Sequence, residues 1–257
     1  MTKKIFILTL IVLSTAACTE LMQVATTVAS NSLSTGTTVT TADNVSGLKS
    51  ALNLGIEKAV SGLSATDGFY KDAVLKLVMP DDAKAIVDNI KLIPGGQALV
   101  DKAVLSMNRS AEDAVKEATP IFKNAIINMS FSDVTGVLFG GKNAATEYLR
   151  KTTYNSLKSA FAPKIQASLA KPLVAGVSTT KTWSSLTSAY NSVAGTAVGS
   201  VAGMKKVNTN LQEYVTERAL DALFTKIATE ENEIRTNPTA RVSAILQKVF
   251  GQLDSKK

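Results

Sequence analysis

Apolar residues return every three or four positions along most of this chain, in runs that glycine or proline cuts at short intervals. That spacing puts each run's apolar side chains on one face of an α-helix. The first run is Val45, Leu48, Leu52, Ile56 and Val60, capped by Asp43 or Asn44 and stopped by Gly62 and Asp67-Gly68. Ala73 to Met79 reads instead as a short extended segment ended by Pro80. Asp81-Asp82 then suit a helix N-terminus leading to Ile93, before Pro94-Gly95-Gly96. Leu99, Val100, Ala103, Val104, Met107, Ala111, Ala114 and Val115 share the broad face of a longer helix. Pro120 opens the next, to Met129, and Ser132-Asp133 open a short one to Phe139, closed by Gly140-Gly141.

Asn143 caps a helix reaching Phe161, and Pro163 begins another to about Leu169. Thr180 to Val193 is helical around Trp183, Leu186 and Tyr190, Asn210 caps Leu211 to Ile234, and Thr239 caps a last helix through Phe250. The pattern predicts an all-α domain over residues 43–251 of roughly nine or ten helices, with a polar tail at 252–257. No period of about 20 to 50 residues recurs, which argues against a solenoid.

Composition agrees. Hydrophobic residues make up 45% of the 257, enough for a core without disulfides, and aromatics only 5%, which favours close-packed helices over a β-sandwich. The net charge is +7, but basic and acidic residues are interspersed and no basic block forms a nucleic-acid stripe. The balance predicts no nucleic-acid partner and a mild attraction to anionic membrane surface.

Residues 1–17 read as an export signal: Lys3 and Lys4, an apolar Ile5 to Leu13 too short to span a bilayer, then Thr15-Ala16-Ala17. Cys18 follows, the one cysteine of the chain. A lone thiol suits an oxidising compartment poorly, so the reading is a lipoprotein signal with Cys18 lipidated. Thr15 stands where such signals usually carry Leu, and ordinary cleavage after Ala17 is the alternative, giving a soluble periplasmic or secreted protein. Residues 18–42 are rich in Ser and Thr and read as a tether, with a reach of roughly 25 Å. Thr19 resembles the sorting residue for outer-membrane delivery, so the body is expected to face the periplasm from a lipid anchor.

Several stretches resemble one bacterial family together: Ser106-Met107-Asn108-Arg109-Ser110-Ala111-Glu112; Gly140-Gly141-Lys142-Asn143-Ala144-Ala145-Thr146-Glu147-Tyr148; Glu213-Tyr214-Val215-Thr216-Glu217-Arg218-Ala219-Leu220-Asp221; and Ile234-Arg235-Thr236-Asn237-Pro238 with Val249-Phe250-Gly251. The chain resembles the domain of unknown function 4197 family, exported helical proteins that often carry lipoprotein leaders. The resemblance runs from about Gly47 to Gly251 and implies an all-α fold, but no reaction and no catalytic residues. The Gly-rich stretch near residues 195–203 departs from it.

The absence of histidine rules out a Ser-His-Asp triad, a His-Glu-x-x-His zinc site and a Cys-His nucleophile. Gly136 to Lys142 matches the start of a phosphate loop, but Asn143 stands where Ser or Thr would hold Mg²⁺ and a helix precedes it; a helix–Gly–Gly–helix turn is the reading preferred. Ser178-Thr179-Thr180-Lys181 matches an S-x-x-K box without its K-T-G partner, and reads as a helix start. Glu230, Glu231 and Glu233 read as a solvated acidic face. Gly195, Gly199 and Gly203 lie in a small-residue run too short to span a membrane, read as a flexible loop, with docking on lipid or a partner as the alternative.

Carboxylates are the remaining acid–base candidates. Asn108, Arg109 and Glu112, then Glu147 and Arg150, then Glu217, Arg218 and Asp221 each fall within a helical turn and form one polar network if their helices pack together; ion pairs and caps are the structural alternative. No cofactor and no metal are implied. The function expected is a non-enzymatic envelope lipoprotein whose body binds an envelope protein or an apolar small molecule, attached to the membrane through Cys18. The alternative is a carboxylate-dependent hydrolase of envelope polymers.

Overall fold

The computed structural model describes residues 38–132 and 134–256. The export signal, Cys18, most of the tether and Asp133 lie outside the described residues. From Thr41 onward the chain is one compact unit, and the described residues contain helices, one isolated bridge between Val174 and Val177, and no strand.

The helices are α1 (Thr41–Leu63), α2 (Lys84–Asp88), α3 (Gly96–Ala114), α4 (Ala118–Asn128), α5 (Val134–Leu138), α6 (Ala144–Ala170), α7 (Thr179–Ala194), α8 (Ala197–Val201), α9 (Leu211–Thr236) and α10 (Ala244–Phe250). The all-α expectation holds. Helix α1 runs through the middle, against α9, α10 and α4, while α6 packs on α9, α3 and α4, and α7 covers α3.

Periodicity built this arrangement. Helix α1 buries Leu48, Leu52 and Ile56 as its spacing implies, together with Ala51, Ala59 and two glycines. Those glycines set how closely helices approach. A Cβ on Gly47 would lie 2.6 Å from Cβ of Val249 on α10, and one on Gly55 would lie 3.1 Å from Cγ2 of Ile227 on α9. Being eight residues apart, they sit on the same face of α1. Phe122 of α4 meets Phe224 of α9 at 5.5 Å between ring centroids, and Phe69, Phe161 and Phe250 are also fully buried.

Several boundaries differ from those read in the sequence. Helix α1 begins at Thr41, so Asp43 lies in its first turn and pairs with Lys248 at 2.9 Å. Ala73 to Met79 forms turns and irregular backbone, and Asp81 to Ile93 is α2 between two 3₁₀ turns. Pro163 starts nothing: it lies inside the 27-residue α6. An interior proline costs about 3 kcal/mol, but Phe161, Ile165 and Leu169 are buried on both sides of it, and that burial carries the helix across. The last helix is capped by Ser243, which accepts from Leu246 N, while Asn237 caps a 3₁₀ turn at Pro238–Ala240. The run expected as a loop contains α8, capped by Thr196 and ended at Gly203 (φ +67°), where Met204 N donates to Gly199 O at 2.9 Å.

Candidate functional site

The eight polar residues expected to meet fall into two separate groups. On α3, Glu112 is buried, and its Oε1 accepts from the backbone N–H of Phe69 (3.2 Å) and Tyr70 (3.3 Å). Its Oε2 accepts from Arg109 at 2.6 Å, and Arg109 also donates to Asp67 at 2.6 Å. Asn108 receives Leu77 N at 2.9 Å and donates to Leu77 O at 2.8 Å, as a neighbouring strand would. Hydrogen bonds from Lys71, then Arg109, hold the Asp67 carboxyl below the usual aspartate range. These side chains pin the 67–79 segment to α3 by filling its backbone donors and acceptors.

The second group lies along the seam of α6 and α9. Arg150 donates to Asp221 at 2.8 Å with its guanidinium 4.5 Å from the Phe224 ring centre. Lys158 bridges Glu213 (2.8 Å) and Glu217 (2.6 Å), which together raise its pKa. Arg218 lies over the Tyr214 ring, whose hydroxyl donates to Val78 O at 2.9 Å. Glu147 is exposed at the rim of a recess shared with Lys142 and Arg150. Among the described residues no hydrogen bond or ion pair joins the α3 group to the seam directly, and no metal-ligand cluster converges.

The acidic triplet is not one solvated face: Glu233 is exposed, but Glu231 is not. Glu231 is wholly buried, accepting from Ala145 N (2.9 Å), Thr146 N (2.7 Å), Thr146 Oγ1 (2.6 Å) and Arg235 Nε (2.7 Å). Arg235 continues to the carbonyls of Leu138 (2.6 Å) and Val137 (3.0 Å), the last residues of α5. Asn143, expected as the α6 cap, has φ +66° and makes no side-chain cap bond. A carboxylate of α9 caps α6 in its place. This also closes the phosphate-loop reading, because the first amides of α6 already hold an anion of the chain itself. Ser178 likewise serves as a cap, accepting from Lys181 N at 3.2 Å.

A recess with a volume near 670 Å³ lies elsewhere, between α4 and α6. Helix α4 contributes Pro120, Ile121, Asn124, Ala125 and Asn128, and Met129 and Ser130 follow it. Helix α6 contributes Tyr148, Thr152, Thr153, Ser156, Leu157 and Ala160. Not one of these side chains is charged. Sequence reading missed this groove, although the signal is present: Tyr148, Thr152, Ser156 and Ala160 recur every four residues as an uncharged stripe between Glu147, Lys151 and Lys158.

The family model described as protein of unknown function (DUF4197) matches residues 38–251. The chain belongs to the DUF4197 family. No curated protein and no solved structure matches it. The match spans the described DUF4197 body from just before α1 to just after α10, so both the α6–α9 seam and the uncharged groove lie within the family domain.

Proposed function

We propose that this DUF4197 protein is a lipid-anchored envelope protein whose helical body is a non-enzymatic binding module, with the groove between α4 and α6 as its binding site. The observation that carries this reading is the groove itself: uncharged throughout, with buried Met129 and Leu157 in its lining, and large enough for a small molecule. The acid–base alternative lacks comparable support. Glu112 and Glu231 are filled by backbone and guanidinium donors, and Asp221, Glu213 and Glu217 are paired with cations. The shifted carboxyls Asp67, Asp72 and Asp113 all move down, away from what a general acid requires.

The anchor and the binding role are tested separately. A Cys18→Ala chain should leave the membrane pellet of an exporting bacterial host, and unchanged pelleting would refute the anchor. Native mass spectrometry of the protein released from its own membranes should show a non-covalent adduct on the body. Release of soluble fragments from purified envelope polymer by the purified protein would overturn the non-enzymatic reading.

A further inference from the structure

The groove's chemistry narrows what it holds. Thirteen residues line it without a single charge, whereas 49 of the 257 residues in the chain are charged (28 basic and 21 acidic), so about two or three charged residues would be expected among them. Burying a charge without a partner is strongly unfavourable, so an uncharged wall is complementary to the uncharged part of a ligand.

Among uncharged ligands, a sugar and a hydrocarbon chain ask different things of the wall. A sugar must replace water with protein hydrogen bonds. Here four of the seven polar side chains that line the groove already donate within the protein. Thr152 Oγ1 donates to Tyr148 O at 2.7 Å, Thr153 Oγ1 to Leu149 O at 2.6 Å, and Tyr148 Oη to Ser130 O at 2.7 Å. Asn128 Nδ2 donates to Asn124 O at 2.9 Å and to its Oδ1 at 3.1 Å. A hydrocarbon chain needs no donor, only the apolar lining of Ile121, Ala125, Met129, Leu157 and Ala160.

Length gives the third constraint. The lining runs from Pro120 to Asn128 along α4 and from Tyr148 to Ala160 along α6, about 12 and 18 Å at 1.5 Å per residue. An extended hydrocarbon advances about 1.25 Å per carbon, given bonds near 1.5 Å at tetrahedral angles. The groove therefore matches a chain of about a dozen carbons.

We propose that the α4–α6 groove seats one acyl chain of a lipid not covalently part of this protein, with the headgroup left outside. This rests on the binding-module reading above and specifies its ligand. The test is calorimetric titration of the purified full-length protein with monoacylglycerols of 8, 10, 12 and 16 carbons, below their micellar concentrations. The dissociation constant should fall about two- to fourfold per added CH₂ and level off once the chain fills the groove, near a dozen carbons. Ala160→Trp, at an exposed lining position, should weaken binding at least tenfold with an unchanged melting temperature, and Ala125→Phe should do the same from the opposite wall. Val201→Ser, on exposed α8, should change nothing.

Chain-length-independent binding, or binding lost in Val201→Ser but kept in Ala160→Trp, overturns the proposal. Maltohexaose is titrated in parallel. Saturable sugar binding that Ala160→Trp abolishes, without acyl binding, overturns the acyl assignment but keeps the groove as a binding site. Failure of both probes overturns both readings. Tighter monoacylglycerol binding by Cys18→Ala than by the membrane-extracted wild type assigns the groove to the protein's own anchor and overturns the choice of a free lipid.

Discussion

Replacing Glu231 with Ala tests the central structural claim, that a carboxylate on α9 completes the start of α6. The substitution removes four hydrogen bonds at once: two to the backbone amides of Ala145 and Thr146, one to the Thr146 hydroxyl and one to Arg235. Arg235 is only 6% exposed and keeps its bonds to the Val137 and Leu138 carbonyls, so its charge stays buried without its counter-ion. Breaking a buried pair from one side costs about 3–5 kcal/mol, and the stranded amides fall within that range rather than adding to it in full. For a body of this size, about 2–4 °C is lost per kcal/mol, which gives a melting temperature lower by roughly 6–20 °C. Urea unfolding supplies the free energies, and a double-mutant cycle with Arg235→Ala isolates the pair. The double variant should lose less than the sum of the two single variants, because neither charge is then left behind. Amide hydrogen exchange at Ala145 and Thr146 should accelerate in Glu231→Ala before the rest of α6 responds. A loss below about 1 kcal/mol in Glu231→Ala, against the several expected for a broken buried pair, would refute the reasoning.

Three further outcomes follow from the same geometry. Gly47→Ala should destabilise by about 1–3 kcal/mol, as overpacking against Val249 does, whereas Gly62→Ala on the same helix meets nothing within 4 Å and should gain about 0.5–1 kcal/mol; urea midpoints separate the two. Pro163→Ala restores an α6 hydrogen bond in a helix already held by Phe161 and Ile165, and should raise stability by about 1–2 kcal/mol in the same assay. The carboxyls of Asp67 and Asp113 titrate lower in the folded state: Asp67 through Lys71 and Arg109, Asp113 because Lys171 and Ser168 together outweigh its burial. Their contribution is present above the ordinary aspartate range and is lost as pH falls through the depressed folded values, so urea midpoints should drop below about pH 4. Asp67→Asn should flatten that drop; an identical acid profile would show that the clamp on the 67–79 segment is not coupled to protonation.

Helix existence was legible because each run states its own face: Leu48, Leu52 and Ile56 are buried where their spacing placed them. Caps drawn from nearby residues were legible for the same reason, as Ser178 and Asn210 show. What local reading missed was supplied from a distance. Nothing within one turn of Asn143 reveals that a carboxylate 86 residues beyond Ala145 will take its amide, so Glu231 looked like one of three solvated acids. Pro163 misled because the rule against interior prolines weighs one lost hydrogen bond, while burial of Phe161, Ile165 and Leu169 lies outside the rule. The polar cluster was half legible: the helices do meet, α3 packing on both α6 and α9, but the α3 residues turn to the 67–79 segment while Arg150 and Asp221 pair across α6 and α9. The groove carries no residue of reactive chemistry, and its mark in the sequence is a stripe without charge.

The contact between α1 and α10 bears on how this body can be re-engineered. Asp43 pairs with Lys248, Asn44 accepts from Gln252, and Val249 packs on Gly47, so the two ends of the helical domain are neighbours. A short flexible bridge between them turns the domain into a ring that tolerates being opened somewhere else. The exposed stretch around Val201 and Ala202 is a natural place to open it. In such a circular permutant α10 would precede α1 in the chain, and the last helix to be synthesised would become one of the first to fold.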